Sequence, residues 1–355
     1  MAKKKEVKED EGKDRKVDSL DIVRKAIEKK YGKVLTSMGD QKDVIIPTVS
    51  TGSLGLDSAL GISGLALGRC YEIFGPPSGG KTTLTMSLIA QAQKQGLRCC
   101  FVDAERAADP KLFTAMGVNI DELLLVRAFS GEENLDVLEK IMATGEINVA
   151  IIDSVSSLIP KSEADSDMED QFMGLLARLM SKAMRKFIPL AGETNTLLIF
   201  INQVRSKIGS YSGGEVTTGG VALDFSATGR IKVEGGEAKS THIINPDTEE
   251  IVGHLTKFTI KKNKLSKPFR TCTVPLVYGV GYDVVWECLT LATDLGIIEK
   301  SGAWYSYEGK NIAQGEVKAV QFLRDNYDIY LIVRKAVIQA LGLEEGYRQQ
   351  GLLDI

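Results

Sequence analysis

The sequence predicts an α/β protein built on a doubly wound, mostly parallel sheet, and three observations carry that reading. Four short runs, residues 71–74, 99–102, 149–152 and 197–201, are apolar rather than alternating, with Glu72 the one polar residue among them, as parallel strands buried on both faces are. Helical segments separate them, including 83–95, 135–143 and 174–187. Each run then ends in polar residues: a glycine-rich loop, then Asp103 and Glu105, then Asp153 and Ser154, then Asn202 and Gln203. Ligands of open α/β sheets bind outside the carboxyl ends of the strands, so four strands aim their polar ends at one crevice.

The first of these ends is the most specific. Gly75-Pro76-Pro77-Ser78-Gly79-Gly80-Lys81-Thr82 fits G-x-x-x-x-G-K-[ST], and Thr83 follows it into a helix. Strand, loop and helix in that order turn backbone N–H groups and a positive helix end toward an anion. Pro76 and Pro77 carry no N–H, so donation falls to the amides from about Gly79 to Thr82. In such a loop Lys81 reaches the outer phosphates and the Thr82 hydroxyl holds Mg²⁺. Asp153 closes an apolar strand, where a carboxylate holds Mg²⁺ through a water; capping the segment 155–159 is its plainer role. Glu105 stands beyond a strand end and can activate the water that attacks a γ-phosphate, or be a surface carboxylate. The Gln203 amide can sense a γ-phosphate and pass its position to the segment that follows, or simply end a strand.

Bulk properties exclude several classes. The 355 residues exceed one average domain, and 43% hydrophobic residues suffice for a substantial interior. No apolar run approaches the ~20 residues of a membrane span, and the N-terminus lacks a signal core, so a cytoplasmic protein is expected. Five scattered cysteines without CxxC spacing point to reduced thiols rather than to disulfides or a zinc site. With only two histidines, His242 and His254, catalysis by imidazole is not expected. A net charge of −3 leaves nucleic-acid contact to local basic clusters.

Along the chain, residues 1–16 are nearly all charged and read as a mobile tail. Ile22, Val23, Ala26, Ile27 and Tyr31 then form one helical stripe that needs a surface to lie on, either its own core or a neighbouring subunit. Two segments are unusual for a compact domain. Residues 162–172 are polar and acidic around Met168 and Phe172, followed by Met173; residues 206–220 are rich in Gly, Ser and Thr, with Lys207 and Tyr211. Arg178, Lys182, Arg185 and Lys186 follow the first at spacings that share part of a helix face, a charge pattern suited to a phosphodiester backbone or to plain solvent. From Arg230 the period becomes two, and 230–233, 256–262 and 272–278 read as antiparallel strands extending the sheet, with 234–250 a loop. Lys261, Lys262 and Lys264 cluster at a strand end with no carboxylate near in sequence. A smaller α+β unit begins near Asp283, where Trp304, Tyr305 and Tyr307 on one strand read more as a small core than as a base-stacking platform.

Taken together these motifs resemble the bacterial RecA recombinase family across roughly residues 21–341. The strings that carry the resemblance include Thr51-Gly52-Ser53-Leu54-Gly55-Leu56-Asp57, the phosphate loop, Phe101-Val102-Asp103-Ala104-Glu105 and Ile151-Ile152-Asp153-Ser154-Val155. Met173-Gly174-Leu175 also carries it, and the stretch 195–203, Thr217-Thr218-Gly219-Gly220, Lys262-Asn263-Lys264 and the stretch 302–307 are not shared by generic phosphate-loop ATPases. The resemblance implies a RecA-type ATPase core (46–282) behind a charged tail (1–18) and an N-terminal docking segment (19–45), with a C-terminal domain at 283–355. It implies a helical homo-oligomer on single-stranded DNA that pairs it with duplex DNA and exchanges strands, driven by ATP and Mg²⁺, in recombination, repair and the response to DNA damage.

Residue by residue, Lys81, Thr82, Glu105, Asp153 and Gln203 match the family's nucleotide residues, and Asp109 the residue near adenine. Met173, Arg178, Ser181, Arg185, Arg205, Lys207, Thr217, Thr218, Gly219 and Gly220 fall on DNA-binding positions. Lys262 and Lys264 match a pair that reaches the next subunit's γ-phosphate, and Phe225 an interface residue that links nucleotide state to DNA binding. The helix near Ser19 would dock on the adjacent protomer. A self-cleaving repressor and loader proteins are further partners of the family.

The chain also departs from the pattern. The usual loop reads GPESSGKT, Leu112 replaces an aromatic that stacks on adenine, and Val221 and Asp224 replace Asn and Lys of GGNALKF. The second DNA loop is one residue shorter, residues 239–250 are extra, and the long acidic tail often seen is missing, divergence that suits a phage-encoded or otherwise distant member. Two other classes compete: a ring-forming motor such as a hexameric helicase, and an architectural DNA binder for which ATP is only a switch.

Overall fold

The computed structural model describes residues 19–41, 45–167, 174–206, 215–236, 238–245 and 248–353. The charged tail and the residues Met168, Phe172, Met173, Lys207 and Tyr211 lie outside them. The chain divides into residues 1–46 and 47–355. In the first unit Ser19–Tyr31 forms the expected amphipathic helix (α1), and none of its residues is buried.

The second unit is organised by one sheet, eleven-stranded among the described residues. In chain order its strands are β1 (Cys70–Gly75), β2 (Cys99–Asp103), β3 (Leu123–Val126), β4 (Val149–Asp153), β5 (Leu197–Ser206), β6 (Glu215–Thr217), β7 (Gly229–Gly235), β8 (His242–Ile244), β9 (Ile251–Asn263), β10 (Thr271–Val277) and β11 (Gly281–Tyr282). The order across the sheet is β11-β10-β9-β7-β1-β5-β4-β2-β3, with β8 added to β9 and β6 to β5. Strands β7, β1, β5, β4, β2 and β3 run parallel, and β9 to β11 continue the sheet antiparallel.

The unbroken hydrophobicity of the central strands has a direct cause. Successive residues of β5 feed opposite cores: Leu197, Ile199 and Ile201 join one apolar cluster, Leu198 and Phe200 the other. β4 divides in the same way, Val149 and Ile151 against Ala150 and Ile152. Helices α2 (Leu54–Leu60) and α3 (Lys81–Lys94) supply apolar residues to the first cluster, and α5 (Gly131–Ala143) and α6 (Leu175–Thr194) to the second; the short α4 (Pro110–Ala115) adds Phe113 to the first. Cys70, Cys99, Cys100 and Cys288 are buried free thiols, and burial pushes Cys99 and Cys100 up to about 12, which keeps them inert.

Several expectations are corrected. β7 covers the run 230–233 but lies parallel to β1; the antiparallel part begins only at β9. The region 234–250 is not all loop, because β8 pairs with β9, aligning His242 with His254. The glycine-rich segment is rooted on a ribbon, with Val204 facing Thr217 and Arg205 facing Val216 across β5 and β6. The first unusual segment begins inside a short helix, Lys161–Ala164. Strand β3 has no counterpart among the four predicted runs; it is the sheet edge, where Leu124 and Leu125 stay exposed. Helix α6 continues beyond 187 through Pro189, whose missing N–H frees only the carbonyl of solvent-facing Arg185, while Ala191 beyond it is buried.

The C-terminal part is a small domain of α8 (Val284–Asp294), α9 (Glu316–Asp325) and α10 (Tyr327–Ala340) with a three-stranded antiparallel sheet. Tyr305 is in its core, whereas Trp304 is half exposed. Leu54 of α2 joins this third cluster, and a buried carboxylate reinforces the junction. Glu287 of α8 accepts hydrogen bonds from Ser53 Oγ (2.5 Å), Gly55 N (2.9 Å) and Leu54 N (3.3 Å) at the start of α2. Burial lifts the Glu287 carboxyl to about 7, although these donors oppose the shift.

A carboxyl near 4.5 when unfolded and near 7 when folded binds a proton on folding between those values. Its contribution to stability is complete below pH 4.5 and is lost as pH rises through 7. Glu287→Gln should therefore abolish a fall in stability of roughly 1–3 kcal/mol between pH 5 and pH 8, measured by urea unfolding. An unchanged pH profile would mean that Glu287 does not titrate in this range.

Candidate nucleotide site and DNA-facing surface

The site is built at the carboxyl ends of β1, β2, β4 and β5. Ser78, Gly80, Lys81, Thr82, Thr83, Glu105, Asp153 and Gln203 share one cavity of about 300 Å³, together with Ile201, His254, Leu276 and Tyr278. The phosphate loop owes its path to its small residues. A Cβ on Gly75 would stand 2.0 Å from the Val233 carbonyl oxygen, so no larger residue fits there. Gly80, at φ +101°, caps α3 in the left-handed region. The amides of Gly79, Gly80, Lys81 and Thr82 donate to no backbone acceptor among the described residues, the expected set of free donors.

Two interactions hold the charged groups. Lys81 Nζ donates to the carbonyls of Gly75 (3.2 Å) and Pro76 (2.6 Å), curling back over its own loop. Burial lowers the Lys81 pKa, and Asp153 and Glu105 oppose that shift. Thr82 Oγ1 donates to Asp153 Oδ2 at 2.8 Å. Burial raises Asp153 to about 6, against the stabilising hydrogen bond from Thr82. A hydroxyl and a carboxylate oxygen side by side are hard donors that fit Mg²⁺, an ion that keeps several of its waters.

Glu105 is set by backbone geometry. Asp103 accepts from the amides of Ala107 (3.0 Å) and Ala108 (3.1 Å) and pairs with Arg127 (2.7 Å), which folds the turn that carries Glu105. The amides of Ala104 and Glu105 both reach the Asp153 carbonyl. Ser154 Oγ (2.5 Å) and Gln203 Nε2 (3.2 Å) then donate to Glu105 Oε1, tying β2, β4 and β5 together. Asp109 is outside the cavity, as the N-cap of α4, where it accepts from Lys111 N at 2.9 Å. Leu112 is on that same helix and partly exposed.

A second chain of polar contacts runs from β5 to the segment after the glycine-rich loop. Asn202 Nδ2 donates to the Thr218 carbonyl and to Glu72 Oε1, both at 2.9 Å, and Thr218 Oγ1 donates to Asn202 Oδ1 at 2.5 Å. Glu72 pairs with Arg230, which also pairs with Asp224 of α7 (Ala222–Ser226), each at 2.5 Å. The departure at Asp224 thus has a local partner. Lys262 Nζ donates to the carbonyls of Asp224 (2.6 Å) and Phe225 (2.8 Å), and Lys264 Nζ to that of Ser226 (3.4 Å), at the negative end of α7. Neither lysine lines the cavity of its own subunit. Phe225 between them is an apolar ring 73% exposed.

On the basic helix, Arg178 and Arg185 are exposed, Ser181 bonds the Ala177 carbonyl, and Lys186 is bound to Glu139 at 2.7 Å, which removes it from the expected basic face. Arg205 is exposed at the root of the ribbon. Gly219 and Gly220 adopt positive φ close against Met180 and Ala177 of α6, so the end of the glycine-rich segment packs on the helix that carries Arg178 and Arg185. Met173 and Lys207 are not among the described residues.

Comparison with known proteins agrees with this geometry. Residues 18–283 match the RecA N-terminal domain and residues 287–342 the RecA C-terminal domain. The chain belongs to the RecA family. It is 42% identical over 330 residues to Protein RecA of Bacillus licheniformis, covering 92% of this chain and 93% of that one. With Protein RecA of Desulforapulum autotrophicum it shares 45% over 319 residues, 89% and 90% of the two chains. Among the described residues no helix is long and apolar enough to cross a membrane.

Sequence reasoning overlooked Glu72, Arg230, His254 and Tyr278 as site components. A glutamate inside an otherwise apolar buried strand was a signal for the first; nothing local marked the others. The network around Asn202 can be tested by Asn202→Ala, which leaves the buried Glu72 and the Thr218 carbonyl each short of a donor. A loss of about 2–3 kcal/mol in urea unfolding is expected. A loss below ~0.5 kcal/mol would show that the network does not hold this region.

Proposed function

We propose that this chain is a DNA-dependent ATPase that assembles as a helical filament on single-stranded DNA and exchanges strands with a homologous duplex. As a RecA-family protein it acts in DNA recombination and repair. The observation that carries the finer reading is the convergence of Lys81, Thr82, Glu105, Asp153 and Gln203 on one cavity at the strand ends.

The roles follow from chemistry. Free amides of the loop bind the phosphates of ATP, and Lys81 exchanges its two backbone carbonyls for phosphate oxygens. Thr82 and Asp153 would hold Mg²⁺, which would neutralise charge on the phosphates. Glu105 accepts a proton from the water that attacks the γ-phosphorus, and ADP leaves with the cleaved P–O electron pair. Gln203, hydrogen-bonded to Glu105 and adjacent to Asn202, passes the state of that site to Thr218 and the glycine-rich segment.

Lys262 and Lys264 supply positive charge to the ATP of the next subunit, a contact that frees the carbonyls of α7 and moves Phe225 at the interface. The unburied apolar stripe of α1 docks on a neighbouring protomer. Arg178, Ser181, Arg185 and Arg205, with Met173, Lys207 and the segment from Thr217 to Gly220, contact the DNA backbone. A ring-forming motor and an ATP-switched architectural binder are not favoured, because both RecA domains are matched.

A cation supplied in trans is worth ~10³–10⁵ in rate, so turnover should wait for filament assembly. Single-stranded DNA should raise ATP hydrolysis at least a hundredfold in a steady-state phosphate-release assay. A rate indifferent to DNA would refute the proposal.

A further inference from the structure

Among the described residues only two buried side-chain polar atoms lack a hydrogen-bond partner, His254 Nε2 and Thr256 Oγ1. They are two apart on β9 and face the phosphate loop. His254 is 1% exposed and lines the nucleotide cavity. Thr256 Oγ1 lies 3.5 Å from where a Cβ on Gly80 would stand. Buried polar groups are ordinarily paired, so two orphans beneath one loop indicate that the loop has a second seat in which they are satisfied.

The ring of His254 is fixed on both sides. Its Nδ1 is 3.2 Å from the Tyr278 hydroxyl. Cβ atoms on Gly235 and Gly236 would come within 2.8 Å of Nε2 and 3.4 Å of Nδ1, so those glycines of the β7 end make room for it. With Tyr278 O–H donating to Nδ1, the neutral ring carries its proton on Nε2. The Gly79 backbone is near enough to favour the charged ring, yet no hydrogen bond to it is completed.

We propose that His254 is a positioning residue for the phosphate loop, donating Nε2–H to the Gly79 carbonyl when phosphates are bound. The peptide between Gly79 and Gly80 is planar, so its carbonyl and its N–H point in opposite directions. Anchoring the Gly79 carbonyl on His254 therefore turns the Gly80 N–H outward, to the phosphate side. Two adjacent glycines let that peptide rotate without a side chain to obstruct it. This inference rests on the nucleotide-binding reading.

The chain has only two histidines, which makes the test specific. In ¹⁵N-histidine spectra of the full chain, MgADP should shift His254 Nε2–H downfield and slow its exchange with water, leaving His242 unmoved. Adenosine, which lacks phosphates, should do neither. His254→Leu should weaken MgADP binding about fivefold to tenfold, and His254→Gln, whose amide N–H can reach the same carbonyl, should restore most of it. MgADP binding that leaves the His254 resonance unchanged, or equal affinity in His254→Leu, would overturn the inference alone. A wild-type chain that binds no MgADP would overturn it together with the nucleotide site.

Discussion

The hydrogen bond from Thr82 to Asp153 is the contact on which the rest of the site depends. It joins the first turn of α3, which carries the loop's free amides, to the end of β4. Asp153 is also the hub for the neighbouring strand, because its carbonyl accepts the amides of Ala104 and Glu105. One residue therefore sets both the Thr82 and Asp153 oxygens proposed to hold Mg²⁺ and the position of the Glu105 carboxylate proposed to activate water. Burial raises its pKa, so the bond to Thr82 and a nearby cation together keep it ionised.

Two polar chains run beside that hub. One passes through Ser154 and Glu105 to Gln203. The other starts at Asn202, the next residue back on β5, and runs through Glu72 and Arg230 to Asp224. They meet the glycine-rich segment at its root and α7 at its end, where Lys262 and Lys264 are bound. In the proposed reading, the DNA segment, the interface phenylalanine and the lysines that serve a neighbour thus all lie on or against one short helix. On that proposal, a change of nucleotide state would have only a few hydrogen bonds to cross before reaching all three.

Much of this was legible in the sequence because it is written in continuous apolar runs with polar ends. The strands β1, β2, β4 and β5 and the carboxylates and amide that follow them needed only hydrophobic period and position. Partners separated in sequence were not legible. Asn202 bonds Glu72 across 130 positions, and Glu287 bonds Ser53 across 234. The parallel placing of β7 beside β1 was missed for a related reason, since an alternating pattern reports one-sided burial rather than strand direction. The antiparallel β8 disappeared because three residues in a polar stretch carry no period.

The central claim is that each phosphate pocket is completed by the next subunit. Mixing two inactive variants tests it directly. Lys81→Ala lacks a working loop but retains its donor lysines, and Lys264→Ala retains its loop but lacks a donor. Each alone should show no DNA-dependent ATP hydrolysis. In an equimolar mixed filament about a quarter of the head-to-tail interfaces combine the two intact halves. Turnover should then recover toward that fraction of the wild-type rate. A mixture as inactive as its components would contradict the account.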